Sequence, residues 1–297
     1  MSEATPEVGS WAREKLQALG EYLNFYTTAL KKQEHWVKSL TFVDAFAGAG
    51  QARLRRAAPS GMESLLAALE PEPMDQAVEE YIRGSPRVAL DIPNRFSRYV
   101  FIERDAGRAA ELEQLCAEYS QACQIEVRRG SAQDEIEALL QGNLGQAGHL
   151  AVVFLDPFGM QISWDTVERL AATKRVEVIV NFALGMAIQR LLTRSTELRP
   201  GWREALDRFF GSHDWYHRVY EEQTDFLGTT TQKRPDAGKR LLEWYRARPK
   251  DAFGYVSPAK LIKNTRGGHL YYLIWAGPHQ LGLKGADHVL RKGESVS

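Results

Sequence analysis

The chain has 297 residues, 44% of them hydrophobic, and carries 38 basic against 38 acidic side chains, so its formal net charge is zero. That length and apolar content suffice for one large core, and a neutral chain does not coat nucleic acid by bulk attraction. No apolar run approaches the roughly 20 residues that span a bilayer, and the start MSEATPEVGS lacks the basic-then-apolar order of a secretion signal, so a cytoplasmic protein without a membrane segment is expected.

In chain order, Leu16, Leu19, Leu23, Tyr26 and Leu30 recur at helical spacing and predict one or two amphipathic helices in an N-terminal extension, 1–38. A core over 39–186 follows. Leu40 to Asp44 is an apolar run that stops at an acid and passes into a glycine-rich turn, Ala45-Phe-Ala-Gly-Ala-Gly50, as a buried parallel strand does. The stretch from Gln51 to Ile82 is acidic and proline-marked and reads as an irregular insertion. Further strands are expected at Ser97–Glu103, Gln124–Gly130 (alternating, so nearer an edge), Leu150–Asp156 and Val176–Asn181, with helical stretches between them. Strands alternating with helices imply right-handed crossovers and a parallel sheet, whose ligands bind beyond the C-terminal strand ends. Residues 187–250 read as a helical insertion rich in aromatics, most of them core. The last unit, 251–297, contains two strands, Phe253–Pro258 and Leu270–Trp275, joined through Asn264-Thr-Arg-Gly-Gly268, and a final helix. The expected fold is therefore α/β and Rossmann-like, of the class I methyltransferase type: parallel strands closed by an antiparallel C-terminal hairpin, with a helical insertion.

Three strand ends carry the chemistry. Phe46-Ala47-Gly48-Ala-Gly50 directly after a strand removes side chains where a backbone must approach a ligand. Arg53 stands where a dinucleotide fingerprint needs its third glycine, which disfavours a pyrophosphate and a hydride-transfer cofactor. Asp44 before the turn suits the positively charged methionine end of S-adenosylmethionine (SAM). Glu103 suits the two hydroxyls of a ribose, with Arg104 beside it. Asp156-Pro157-Phe158-Gly159 ends the most apolar strand with a carboxylate, a rigid proline and a ring, a set that holds and stacks on a planar amine; the alternative is a type I turn. Ser131 stands where a third strand end often presents an acid to the adenine amine, and Asp134 or Gln133 is a substitute. Asn181 faces the same cleft, although asparagine at a strand end often serves a turn. His213 and His217 share a helical face without a third ligand, so no metal site is expected, and Cys116 and Cys123 are expected to be inert thiols. Between Thr230 and Lys292 there are 13 Lys and Arg against 4 Asp and Glu, an excess suited to an RNA or DNA backbone or to a solvated face.

The blocks Val43-Asp-Ala-Phe-Ala-Gly-Ala-Gly50, Gly84-Ser-Pro86 with Ala89-Leu90, Val100-Phe-Ile-Glu-Arg-Asp105, Phe154-Leu-Asp-Pro-Phe-Gly-Met160 with Trp164, and Leu270-Tyr-Tyr-Leu-Ile-Trp275 with His279 and Gly282 together resemble the three-Cys-motif partner protein family, from about Phe42 to Leu290. The resemblance implies a class I methyltransferase-like fold and a partner protein bearing a three-cysteine, iron–sulfur-type motif. The Asp-Pro-Phe-Gly block is also similar to that of tRNA guanine dimethyltransferases. Two functions follow as expectations. One is a SAM-dependent methyltransferase acting on an amine of a nucleic acid or nucleotide-like substrate, with Asp44, Phe46, Ala47, Gly48, Gly50, Glu103, Arg104, Ser131 and Asp134 at the cofactor and Asp156, Pro157 and Phe158 at the acceptor. The other is a non-catalytic or partner-dependent subunit.

Overall fold

The structure is a computed structural model, and it describes residues 10–33, 35–52, 82–119, 123–157, 159–188, 192, 198, 201–225, 228–263, 267–293 and 295–296. Most of the expected irregular insertion, Phe158 and Arg266 lie outside the described residues.

A 21-residue helix, α1 (Ser10–Leu30), precedes the first strand, β1 (Ser39–Asp44). Two short strands, β2 (Gln51–Ala52) and β3 (Ile82–Arg83), pair antiparallel. The alternating core then runs α2 (Ser85–Leu90), β4 (Arg98–Glu103), α3 (Ala106–Ala117), β5 (Gln124–Arg129), α4 (Ala132–Gln141), β6 (His149–Leu155), α5 (Trp164–Ala172) and β7 (Val176–Phe182). A π-helical turn, Leu184–Ile188, follows β7. Helices α6 (Trp202–Phe210) and α7 (Trp215–Val219) lead into a separate hairpin, β8 (Tyr220–Asp225) with β9 (Gly228–Lys233), and then α8 (Ala237–Phe253). The chain closes with β10 (Tyr255–Val256), β11 (Ala259–Lys263), β12 (His269–Gly277), α9 (Gln280–Leu290) and β13 (Ser295–Val296).

In the main sheet the order is β13-β11-β12-β7-β6-β1-β4-β5. The five strands β7, β6, β1, β4 and β5 are mutually parallel, and β12 enters antiparallel to β7 between it and β11. With the seven principal strands numbered along the chain, this is the order 3-2-1-4-5-7-6 with strand 7 reversed, the class I methyltransferase arrangement expected above. Two details differ from the expectation. The hairpin's first strand is split: β10 (Tyr255–Val256), inside the expected Phe253–Pro258, and β11 (Ala259–Lys263) both pair antiparallel with β12, with the break at Ser257-Pro258, where proline has no N–H for the ladder. The insertion holds a β-hairpin as well as helices: Thr229-Thr-Thr231 is β-branched, a composition that favours extended backbone.

Alternation along each strand sorts the core into two layers. Phe42, Tyr99, Phe101, Val152, Phe154, Leu273 and Trp275 face α1, α2, α3 and α9, and the intervening Val43, Val100, Ile102, Val153, Leu155 and Ile274 face α4, α5, α6 and α8. The insert's rings extend the second layer: Tyr245 of α8 stacks on Phe182 at a centroid distance of 4.2 Å. Sequence reading of these aromatics as core is matched by the burial of Phe209, Phe210, Trp215 and Tyr245.

Candidate active site

Four strands carry the same pattern at or beside their C-terminal ends: Phe42-Val-Asp44, Phe101-Ile-Glu103, Phe154-Leu-Asp156 and Ile179-Val-Asn181. Each polar residue stands two places after a residue of the α1-side layer, so the strand period brings all four side chains out on that face, at the C-terminal edge. Parallel register sets them side by side, since Asp44 pairs with Phe154 and Val180 with Leu155.

Asp44 is fully buried. Its Oδ1 accepts the N–H of Phe46 at 3.1 Å, while Oδ2 makes no geometrically sound hydrogen bond, although the Ser85 hydroxyl lies close enough to favour the charged form. Burial pushes this carboxyl up to about 7, and the neighbouring Asp156 carboxylate adds to the rise. Asp156 has both oxygens engaged: Asn181 Nδ2 donates to Oδ1 at 2.5 Å and Lys15 Nζ, from α1, donates to Oδ2 at 2.5 Å. Asn181 Oδ1 is buried without a partner among the described residues, and its amide orientation is fixed because the reversed amide would set an oxygen against the carboxylate. The ammonium of Lys15 also sits 5.3 Å from the centre of the Tyr271 ring.

Glu103 is buried and lies one strand further along the same edge. Its Oε1 accepts from the Asp105 N–H at 2.7 Å and from Arg108 Nη2 at 3.0 Å, which leaves Oε2 as the oxygen for an outside donor. The glycine turn divides into two parts. Gly48 has φ +63°, and no described residue comes within 4 Å of where a Cβ would stand, so among the described residues the face over it is open. Gly50, at φ +72°, is instead required by packing, for a Cβ there would lie 2.4 Å from Leu115 of α3. Gly84 packs on the Gly50 backbone, which brings Ser85 to Asp44.

Other expected residues stand elsewhere. Phe46 and Ala47 use their backbone N–H groups within the fold, toward Asp44 Oδ1 and the Ile102 carbonyl. Arg104 is exposed on the turn after β4. Ser131 is the N-cap of α4, accepting the Asp134 N–H and donating to Asp134 Oδ2 at 2.7 Å; this accounts for a serine at that position. Pro157 is buried behind Asp156. His213 pairs with Asp207 and stacks on Tyr216, and among the described residues no group of three or more His, Cys, Asp or Glu side chains is placed to hold a metal ion. Burial pushes the Cys116 thiol up to about 12, which suppresses the thiolate. No helix among the described residues is long and apolar enough to cross a membrane.

Three residues escaped the sequence reading: Lys15, Ser85 and Tyr271. Ser85 had a signal in its Gly84-Ser-Pro86 context. Lys15 had none, being one of two cations, with Arg13, on an amphipathic helix. Several of the basic residues after Thr230 are paired with acids of the fold: Arg234 with Glu221 at 2.7 Å, Arg240 with Asp236 at 2.8 Å, Lys260 with Glu14 at 2.8 Å and Lys292 with Glu21 at 2.8 Å. Arg248 lies over Trp164 and Trp244, and Arg246 donates to the Ser257 carbonyl.

No family model matches the chain, and no curated protein matches it. Solved structures do. Protein LPL1258 from Legionella pneumophila superposes with a TM-score of 0.44 at 12% identity, covering 94% of each chain. The N-terminal domain of EvdMO1, solved with S-adenosylhomocysteine (SAH) bound, gives 0.32 at 11% identity, covering 86% of this chain and 81% of that one. A conserved hypothetical protein of Streptococcus pyogenes gives 0.30 at 13% identity over 66% of this chain and 86% of that one.

Proposed function

We propose that this class I methyltransferase fold belongs to a SAM-dependent methyltransferase whose acceptor is an amine. One observation carries the reading: at the ends of β1, β6 and β7 two buried acceptor atoms, Asp44 Oδ2 and Asn181 Oδ1, have no hydrogen-bond partner among the described residues, beside the Asp156 carboxylate. Unmet acceptors at a strand edge call for ligands rich in donors and positive charge. SAM is such a ligand, and when bound it would supply an electrophilic methyl group on a cationic sulfur.

The residues fit that group. Asp44 would meet the cationic methionine end, the open face over Gly48 would admit the ligand against the backbone, and Glu103 Oε2 would accept a ribose hydroxyl. Asp156, held by Asn181, would orient the acceptor amine and take its hydrogen bond, with in-line placement as the main catalytic contribution. The Asp-Pro-Phe-Gly block supports an amine acceptor, and a nucleic-acid or nucleotide-like amine is the finer form of the proposal. The resemblance to the three-Cys-motif partner family rests on the sequence blocks given earlier and supports a partner protein as part of the proposal. The engagement of Glu103 Oε1 by Arg108 favours a second reading, a partner-dependent subunit in which the ribose contact is incomplete until that arginine moves.

Calorimetric titration of the isolated protein with SAM and SAH, with NAD as a control, tests the reading. Micromolar binding of both sulfur ligands and none of NAD is the expected outcome, and no binding of either sinks it. Glu103→Ala should weaken SAH binding by about 1.5–3 kcal/mol, the worth of a charge-assisted hydrogen bond.

A further inference from the structure

The place assigned to an acceptor amine already holds one. Lys15 Nζ donates to Asp156 Oδ2 at 2.5 Å and faces the Tyr271 ring, while Asn181 fixes the opposite carboxylate oxygen. Carboxylate, aromatic face and an amide that orients the carboxylate are the elements that recognise an alkylammonium group. The pair is largely withdrawn from water, with the two side chains 12% and 19% exposed. Removing both charges from solvent offsets much of their attraction, so stability alone does not explain a lysine here. Nor is its placement a matter of a loose side chain, because α1 is anchored on either side of Lys15's turn by buried Ala12, Leu19 and Tyr22, the last bonded to Glu177 of β7.

We propose that Lys15 is an intramolecular methyl acceptor, a site at which the protein methylates itself. This rests on the methyltransferase reading above. The ammonium first gives a proton to Asp156 Oδ2, from which it passes to water at the exposed edge of the carboxylate. The lone pair so freed forms the N–C bond as the S–C bond of SAM breaks, and the sulfur keeps that bonding pair, leaving neutral SAH. The nitrogen is then already a secondary ammonium and takes up no further proton, so the product keeps a positive charge and two N–H donors and remains paired with Asp156.

Incubation of the full chain with SAM, followed by intact-mass measurement and peptide mapping, should show a gain of one CH2 unit on Lys15. The gain should be absent in Lys15→Arg and slowed by about a hundredfold in Asp156→Asn, the range of general acid–base effects. SAH calorimetry on the same preparation separates the two readings. Failure to bind SAH overturns the methyltransferase assignment; SAH binding with Lys15 unmodified overturns only this inference. A readout free of turnover uses Lys15→Ala, which vacates the subsite: n-butylamine, an analogue of the lysine side chain, should bind this variant in the presence of SAH, more weakly as salt rises, and should not bind the unaltered protein. A folded Lys15→Ala protein that ignores n-butylamine overturns the amine subsite. If that variant does not fold, the mass measurement on the unaltered protein decides.

Discussion

At the scale of the residue, Asp44 has the sharpest consequence. Its carboxyl, pushed up to about 7 by burial, is largely protonated in the unliganded protein below that pH. A cationic ligand over Oδ2 favours the carboxylate, so binding below pH 7 must release a proton. SAH affinity should accordingly rise as pH climbs from about 5.5 to 7, by at most about tenfold per pH unit, and level off above. Calorimetry in buffers of different ionisation enthalpy reads the proton directly. Asp44→Asn should flatten the profile, and a pH-independent affinity in the unaltered protein would remove Asp44 from the ligand's surroundings. Much of this site was legible from residues alone: Asp44, Glu103 and Asp156 were found because each ends an apolar run before a turn. Asn181 was underrated, since an asparagine gives the same signal whether it forms a turn or faces a cleft. Lys15 was invisible, because its position depends on how α1 lies across the sheet, a tertiary fact without a local pattern.

At the scale of the element, the reversed strand β12 fixes the far wall of the site. The π-helical turn after β7 lies directly against it: a Cβ on Gly185 would fall 1.9 Å from the His269 carbonyl oxygen, and backbone cannot step aside as a flexible side chain does. Gly185→Ala should therefore cost about 1–3 kcal/mol, the usual penalty of overpacking, read as a lower denaturant midpoint at unchanged slope. A value within about 0.5 kcal/mol of zero would mean that the turn re-forms elsewhere. Such a contact was not readable from sequence, where Gly185 follows a strand like any loop glycine. The strands themselves were readable, because buried parallel strands are apolar on both faces. The β8–β9 hairpin was missed because its polar, solvent-facing residues carry no apolar alternation to detect.

For the whole molecule, pH acts through two buried acids. Glu177, at the other end of β7, accepts hydrogen bonds from Tyr22 and from Trp275 Nε1, and burial pushes it up to about 7 in spite of them. Asp44 and Glu177 both have native values above the unfolded ones, so native stability is fullest below about pH 4, as far as these groups decide it. That contribution is lost as pH rises through 7, by roughly 3–4 kcal/mol each as an upper limit. Glu177→Gln keeps an oxygen for both donors and removes the titration; thermal melts between pH 5 and 8 should show it losing less stability than the parent. An equal loss in both would place the pH dependence elsewhere. The basic C-terminal third tests the proposed nucleic-acid partner. Affinity for RNA should fall steeply with salt, by a logarithmic slope of about 0.7 per phosphate neutralised, if enough cations remain outside the ion pairs described. A flat or absent response at low ionic strength would point to an acceptor of another kind.

The seating of α1 also constrains the order of assembly. Its partners are distant along the chain: Tyr22 reaches Glu177 and Trp275, and Glu21 reaches Lys292 across 271 positions. Loops of that size close slowly, and the reward comes only when β12 and α9 are in place. The sheet can therefore mature before Lys15 arrives at Asp156. During refolding, recovery of secondary structure should precede recovery of ligand binding, with the N-terminal helix acting as the late clasp that turns a formed scaffold into a finished cleft.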